Sequence, residues 1–192
     1  MATTSGTCSS MKVEPTTLPG VLLIEPAVYR DERGWFLETF RQERYGEHGI
    51  AGPFVQDSLS FSRRGVLRGL HLQWPRAQGK LVHVVEGEVF DVAVDMRRDS
   101  PTFRRWVGHT LSARDGRQLW IPPGFAHGFV VTSDTALFAY KCTEAYDPGG
   151  ELAIRWHDPD VAIEWPVDDP VLSPRDAAAP LLGEIDAARL PR

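Results

Sequence analysis

Short apolar runs broken by turn residues dominate the pattern along this chain. After Pro19-Gly20, the run Val21-Leu22-Leu23-Ile24 reads as a first strand, and residues 36–40 read as a second. Further on, the runs 81–85, 89–95, 119–121, 129–132 and 136–141 are rich in β-branched and aromatic residues and are separated by Gly, Pro, Asp or Ser. That punctuation belongs to strands joined by turns, and its spacing as far as about residue 166 predicts a sandwich or barrel rather than βαβ units. Helical signals are few. Thr39 with Gln42 three residues on has the form of a capping box, which predicts a short helix stopping at Gly49. Ser173-Pro174-Arg175-Asp176 offers an N-cap Ser, a Pro in the first turn and an acid at the third position, the signature of a helix start. Residues 1–12 read as a disordered or vector-derived tail, with Met11 as an alternative start, and 13–192 as a single domain.

Composition supports the β reading and narrows the class. The 192 residues are 42% hydrophobic, enough for one good core. Aromatics at 10%, with 17 Gly and 15 Pro, suit a turn-rich β protein. A formal net charge of −5 argues against nucleic acid as a partner. The small polar N-terminus lacks the apolar region of a secretory signal, and no run approaches the ~20 apolar residues of a membrane span. Cys8 and Cys142 cannot build a disulfide framework, so the expected setting is reducing and cytoplasmic.

Charge is unevenly placed. Between Asp57 and Glu86 there is no Asp or Glu, yet Arg63, Arg64, Arg68, Arg76 and Lys80 fall inside, with His71 and His83. Such a window is either a basic surface or a local anion site of the sort a diphosphate needs. The segment Gly116-Arg-Gln-Leu-Trp-Ile-Pro122-Pro-Gly124-Phe-Ala-His127 carries Gly, Pro, Gly and His at the spacing of the second cupin motif, and Gly65 with His71 matches the start of the first. The chain therefore resembles a cupin, an all-β double-stranded β-helix jelly roll with a few short helices. Metal-binding cupins have His-x-His and then Glu in the first motif. Here His71-Leu72-Gln73 is followed by Gln78 and Lys80, which makes a poor divalent-metal site and implies a metal-free one.

A wider set of segments resembles the dTDP-4-dehydrorhamnose 3,5-epimerase family. These are Asp31-Glu-Arg-Gly-Trp-Phe-Leu-Glu38, Arg64-Gly-Val-Leu-Arg-Gly-Leu-His-Leu-Gln73, Gly79-Lys-Leu-Val82, Asp91-Val-Ala-Val-Asp95, Ser100-Pro-Thr102, Ile121-Pro-Pro-Gly-Phe-Ala-His-Gly-Phe129, Tyr140-Lys-Cys-Thr143 and Asp158-Pro-Asp160 with Trp165-Pro166. The match runs in order from about Gly20 to Asp176. The resemblance implies a cofactor-free epimerase acting on a dTDP-linked 4-keto-6-deoxy sugar, as a homodimer with an exchanged N-terminal strand. It makes His71 the base, Asp176 the acid orienting it, Lys80 and Arg68 the cations facing the developing enolate and the ketone, and Tyr140 the acid on the opposite face. An imidazole titrates near 6.5, so a neutral histidine base is available at physiological pH. Arg33, Phe36 and Glu38, partly supplied by the neighbouring subunit, and Gln56 are the implied nucleotide contacts, with Tyr146 stacking on thymine. Ser58 stands where the family often has Asn, as does His157. His127 is expected in the cupin turn, shaping the pocket wall or meeting phosphate.

Three other readings compete. A mono-epimerase serving unusual deoxysugars shares base and acid, and so shares every residue above. A metal-dependent cupin needs the ligands that are missing here. A non-catalytic sugar-nucleotide module keeps the arginines but has no use for a base and an acid on opposite faces.

Overall fold

The computed structural model describes residues 10–50 and 52–192. Cys8 and most of the expected tail lie outside those residues. Lys12 opens the first strand, β1 (Lys12–Pro15), and Met11 packs beside the small apolar cluster around Tyr45. β1 pairs antiparallel with β2 (Leu22–Glu25), one residue later than the apolar run suggests. β3 (Val28–Asp31) and β4 (Gly34–Leu37) form a separate two-stranded hairpin, so the strand expected over 36–40 ends at Leu37. The short helix α1 (Gln42–Gly46) follows. Its N-cap is Arg41 without a side-chain cap, not Thr39. The Thr39 carbonyl accepts hydrogen bonds from Tyr45 Oη at 3.0 Å and Gln118 Nε2 at 2.8 Å, which tie it to the sheet instead of to a helix start.

Two packed sheets come next, formed by β5 (Gln56–Arg63), β6 (Leu67–Gln73), β7 (Lys80–Glu86), β8 (Glu88–Asp95), β9 (Trp106–Ser112), β10 (Gln118–Ile121), β11 (Phe125–Val131), β12 (Thr135–Cys142) and β13 (Glu151–Ala153). One sheet has the order β1-β2-β10-β7-β12-β5 and the other β13-β6-β11-β8-β9. All pairings within the sheets are antiparallel, and the architecture is the jelly roll expected from the cupin motifs. A single residue, Gly87, links β7 to β8. Its φ is +82°, and a Cβ there would meet the Thr135 carbonyl oxygen at 2.0 Å, so only glycine makes this turn.

Three apolar clusters hold the layers. Between the sheets, Leu23, Val82, Val84, Leu119 and Phe138 face Val89, Ala93, Leu111, Phe129 and Val131. The outer face of the five-stranded sheet, with Leu70, Leu72, Val92 and Val94, is covered by Val161, Leu182 and Leu190 of the C-terminal region. β8 and β11 are thus buried on both faces, which is why their sequences read as near-continuous apolar runs. The third cluster packs Tyr45 and Ile50 against Ile24, Leu81 and Trp120. The C-terminal region includes α2 (Pro174–Ala177), whose Ser173 Oγ accepts from the Asp176 N–H at 3.1 Å as the sequence predicts.

Candidate active site

A cavity of about 550 Å³ is lined by residues of both sheets and of α2, within the size range of small-molecule sites. On β6, Leu70 and Leu72 point into the outer cluster, so alternation turns His71 the other way, into the cavity. Gly69 permits this. At φ +125°, a Cβ there would lie 2.6 Å from the Gly128 Cα and 2.7 Å from the His127 carbonyl oxygen, so β6 and β11 approach closely only with glycine. His71 Nε2 lies 2.6 Å from Asp176 Oδ1, a contact between residues 105 apart in the chain. Asp176 is buried, and burial alone pushes its carboxyl up. The hydrogen bond and charge of His71, with the Ser173 hydroxyl and the Gly69 N–H, outweigh that and hold it below the usual carboxylate range.

Tyr140 comes from the other sheet. It shares a β12 face with Ala136 and Phe138, and its ring sits 6.1 Å from that of Phe138. Imidazole and phenol therefore reach the cavity from facing walls. Lys80 opens β7 opposite Cys142 and also lines the cavity. Burial pushes its pKa down, and Cys142, Glu151 and Asp91 oppose that shift. A cation so shielded from bulk water acts on a nearby charge far more strongly than an exposed one. Arg68 completes the cationic side, its Nε donating to Ser62 Oγ at 3.0 Å.

Residues 15–184 match the family model described as dTDP-4-dehydrorhamnose 3,5-epimerase. The chain belongs to the dTDP-4-dehydrorhamnose 3,5-epimerase family. The solved dTDP-6-deoxy-D-glucose-3,5-epimerase of Legionella pneumophila Philadelphia 1, in complex with dTDP-4-keto-L-rhamnose, is 56% identical with a TM-score of 0.93. That alignment covers 95% of this chain and 98% of that one. The dTDP-4-dehydrorhamnose 3,5-epimerase of Salmonella typhimurium is 54% identical over 177 residues, 91% of this chain and 97% of that protein. The protein of the same name from Neisseria gonorrhoeae is 51% identical over 94% of this chain, which spans 55% of that relative's length.

In this member of the epimerase family, seven of the residues singled out from sequence line one cavity: Arg68, His71, Lys80, His127, Tyr140, Tyr146 and Asp176. His127 lies within β11 rather than in a turn, because the turn ends at Gly124 and the strand starts at Phe125. It is buried, with Nε2 2.8 Å from Asp91 Oδ2. Gln56 does not line the cavity but accepts from the Tyr146 N–H at 2.8 Å and donates to Ser58 Oγ at 3.2 Å. Ser58 lines a second cavity with Phe40, His83 and Lys141. Arg33, Phe36 and Glu38 are not at the first cavity of their own chain. Arg33 is paired with Asp31, Phe36 is exposed, and Glu38 is held by Arg41 and Arg44. Among the described residues, no three His, Cys, Asp or Glu side chains gather as a metal site needs.

The sequence reading missed Glu151, Arg175 and Asp91. Glu151 Oε2 accepts from Tyr146 Oη at 2.7 Å and pairs with Arg175 Nη1 at 2.5 Å, bracing the cavity rim. Nothing in a three-residue strand announces Glu151. Asp91 was legible, since an acid on the inward face of the apolar run 89–94 needs a partner.

Proposed function

We propose that the chain inverts C3 and C5 of dTDP-4-dehydro-6-deoxy-D-glucose, giving dTDP-4-dehydro-L-rhamnose, by taking and returning protons beside the C4 ketone. The observation that carries this is the His71–Asp176 hydrogen bond in a cavity that Tyr140 enters from the facing wall. Asp176 accepts the Nε2 proton and fixes the tautomer, leaving the other ring nitrogen with the lone pair that takes the C–H proton. The enolate oxygen then develops charge beside Lys80 and Arg68, whose positions are set before reaction. Tyr140 delivers a proton to the opposite face. Only protons move in this scheme, and it needs neither a redox cofactor nor a metal. Tyr146, half-exposed at the rim, is suited to stacking on the thymine ring, with Gln56 and Ser58 behind it and His127 at the pocket wall.

The same reading makes the functional unit a cytoplasmic homodimer whose exchanged hairpin brings Arg33, Phe36 and Glu38 to the partner's nucleotide site. The support is apolar exposure: Leu59, Phe61 and Val85 stand out from the six-stranded sheet, and Trp35 and Phe36 from the hairpin. No helix among the described residues is long and apolar enough to cross a membrane. The test of the reaction is incubation of dTDP-4-keto-6-deoxyglucose with the protein in D₂O, with NMR of the sugar protons. Deuterium at both C3 and C5, and a rhamnose-configured product once a 4-ketoreductase is added, is the expected result. Label at one carbon only, after long incubation, makes the chain a mono-epimerase.

A further inference from the structure

Asp91 and His109 are polar residues that the reaction above leaves without a task. Asp91 stands among Val89, Val92, Ala93 and Val94 and is fully buried with them. Its Oδ2 is bonded to His127, while its Oδ1 has no hydrogen-bond partner among the described residues. On the neighbouring strand, His109 is the residue directly opposite Asp91, and its Nε2 is likewise buried and unpaired. Both side chains face the space between the sheets. Val89 and Ala93 flank Asp91 there, and Val107 and Leu111 flank His109. Buried polar atoms are seldom left unpaired, so two orphans on paired residues call for a shared partner. Opposed residues on antiparallel strands have Cβ atoms about 4.5–5.5 Å apart, and a carboxylate and an imidazole that close, yet not bonded, leave room for one water.

The strand order extends this pair into a row. β6, β11, β8 and β9 are successive neighbours. They carry His71, then His127 opposite it, then Asp91 bonded to His127, then His109 opposite Asp91. His109 is partly exposed on the edge strand β9. Burial pushes the His127 imidazole below its ordinary range, with Asp91 opposing and Lys80 and His71 adding to the fall. Burial and then Arg117 lower His109, again against Asp91. Both rings therefore rest neutral at physiological pH and are free to take a proton in passing.

We propose that one water bridges Asp91 Oδ1 and His109 Nε2, and that His127, Asp91, this water and His109 conduct protons between the cavity and solvent at the edge strand. The use of this path rests on the epimerase reading: after one inversion His71 holds the abstracted proton, and the bound nucleotide sugar covers the direct way out. The proton passes to the free ring nitrogen of His127 through a sugar hydroxyl or a cavity water. His127 gives its Nε2 proton to Asp91 Oδ2. A half-turn of the carboxyl, in which Oδ1 gives up only its bond to the water because no described protein group holds it, presents that proton to the bridging water. The water passes a proton to His109 Nε2, and the other nitrogen of His109 releases one to solvent. One proton leaves through the path, and Tyr140 takes one back from water in the second cavity, which it also lines. With both charges restored, His71 and Tyr140 are ready for the second inversion.

Two experiments test the parts separately. A high-resolution crystal structure of the full chain should show a water within hydrogen-bond distance of both Asp91 Oδ1 and His109 Nε2; a dry gap overturns the path. The second compares the parent with His109→Val and His109→Gln, using substrate deuterated at C3 and C5 in H₂O buffer, after melting curves confirm that the variants fold. The parent should lose its label to solvent. Both variants should return severalfold more label to the sugar, become dependent on buffer concentration, and slow by about tenfold with KM unchanged, short of the 10² or more that losing a direct acid or base costs. Glutamine can hold the water but cannot carry the proton, so a Gln variant that behaves like the parent overturns the path. Variants that both match the parent overturn it as well. A parent without any exchange would instead strike the function proposed above, leaving the bridging water to be decided by diffraction alone.

Discussion

His71 lies between two leucines that bury themselves on the far side of the sheet, and this alternation alone presents its imidazole to the cavity. Because that ring is proposed to act directly on the C–H bond, His71→Asn should keep the fold and lose about 10² to 10⁴ in turnover or more. A folded variant with half the parent's rate contradicts the role. Lys80 differs, since it moves no proton in the scheme and its contribution is electrostatic. Lys80→Met should lower kcat by roughly 10² to 10³ with little change in KM. An effect confined to KM in steady-state kinetics would move Lys80 to phosphate binding. At this scale the sequence pointed to Lys80 through the acid-free window between Asp57 and Glu86 and through the family resemblance of Gly79-Lys-Leu-Val82. It was least informative for Asp176, whose position in a helix start explains an acid without any partner. Only the fold brings it to 2.6 Å from His71.

Elements were legible in proportion to their apolar content. β7, β8, β10, β11 and β12 correspond to runs that stand out by β-branched and aromatic residues. β6 carries Arg68, Gly69, His71 and Gln73, so its strand character is masked by the residues that make the site. β13 has three residues and no period to read. The two helix starts show why local rules succeed or fail. Thr39 fits a capping box, but its carbonyl is engaged by Gln118 from the sheet, and tertiary bonding wins. Ser173 has no such competitor and caps α2 as predicted. That cap sets the helical turn that carries Asp176. Ser173→Ala removes a bond usually worth about 1 kcal/mol. It should therefore reduce kcat while barely moving the melting temperature, and Ser173→Thr should restore most of the rate. Unchanged kinetics in the Ala variant would mean that α2 holds Asp176 without its cap.

For the whole molecule, the homodimer proposed from the exposed Leu59, Phe61 and Val85 and the outlying hairpin has a direct test. Light scattering at micromolar concentration should give twice the chain mass, and replacing Trp35 and Phe36 by Ser should weaken dTDP binding without unfolding the monomer. A fully active monomer contradicts the exchange. The sequence by itself determined the two-sheet architecture and the identity of the chemical groups. Strand periodicity, turn residues and the ordered motifs are properties of neighbouring residues, and these survive without a fold. It also marked the incomplete cupin ligand set, which is a matter of residue type alone. The tertiary structure decided which of those groups meet. Register placed His127 across from His71 and Asp91 beside His127. The packing of one sheet on the other put Tyr140 on the wall facing His71, and the C-terminal return across the outer face delivered Asp176. Those contacts join residues tens to a hundred positions apart, and loop closure over such distances leaves no local periodicity in the chain. They become readable only once the sheets have paired and the core between them has closed.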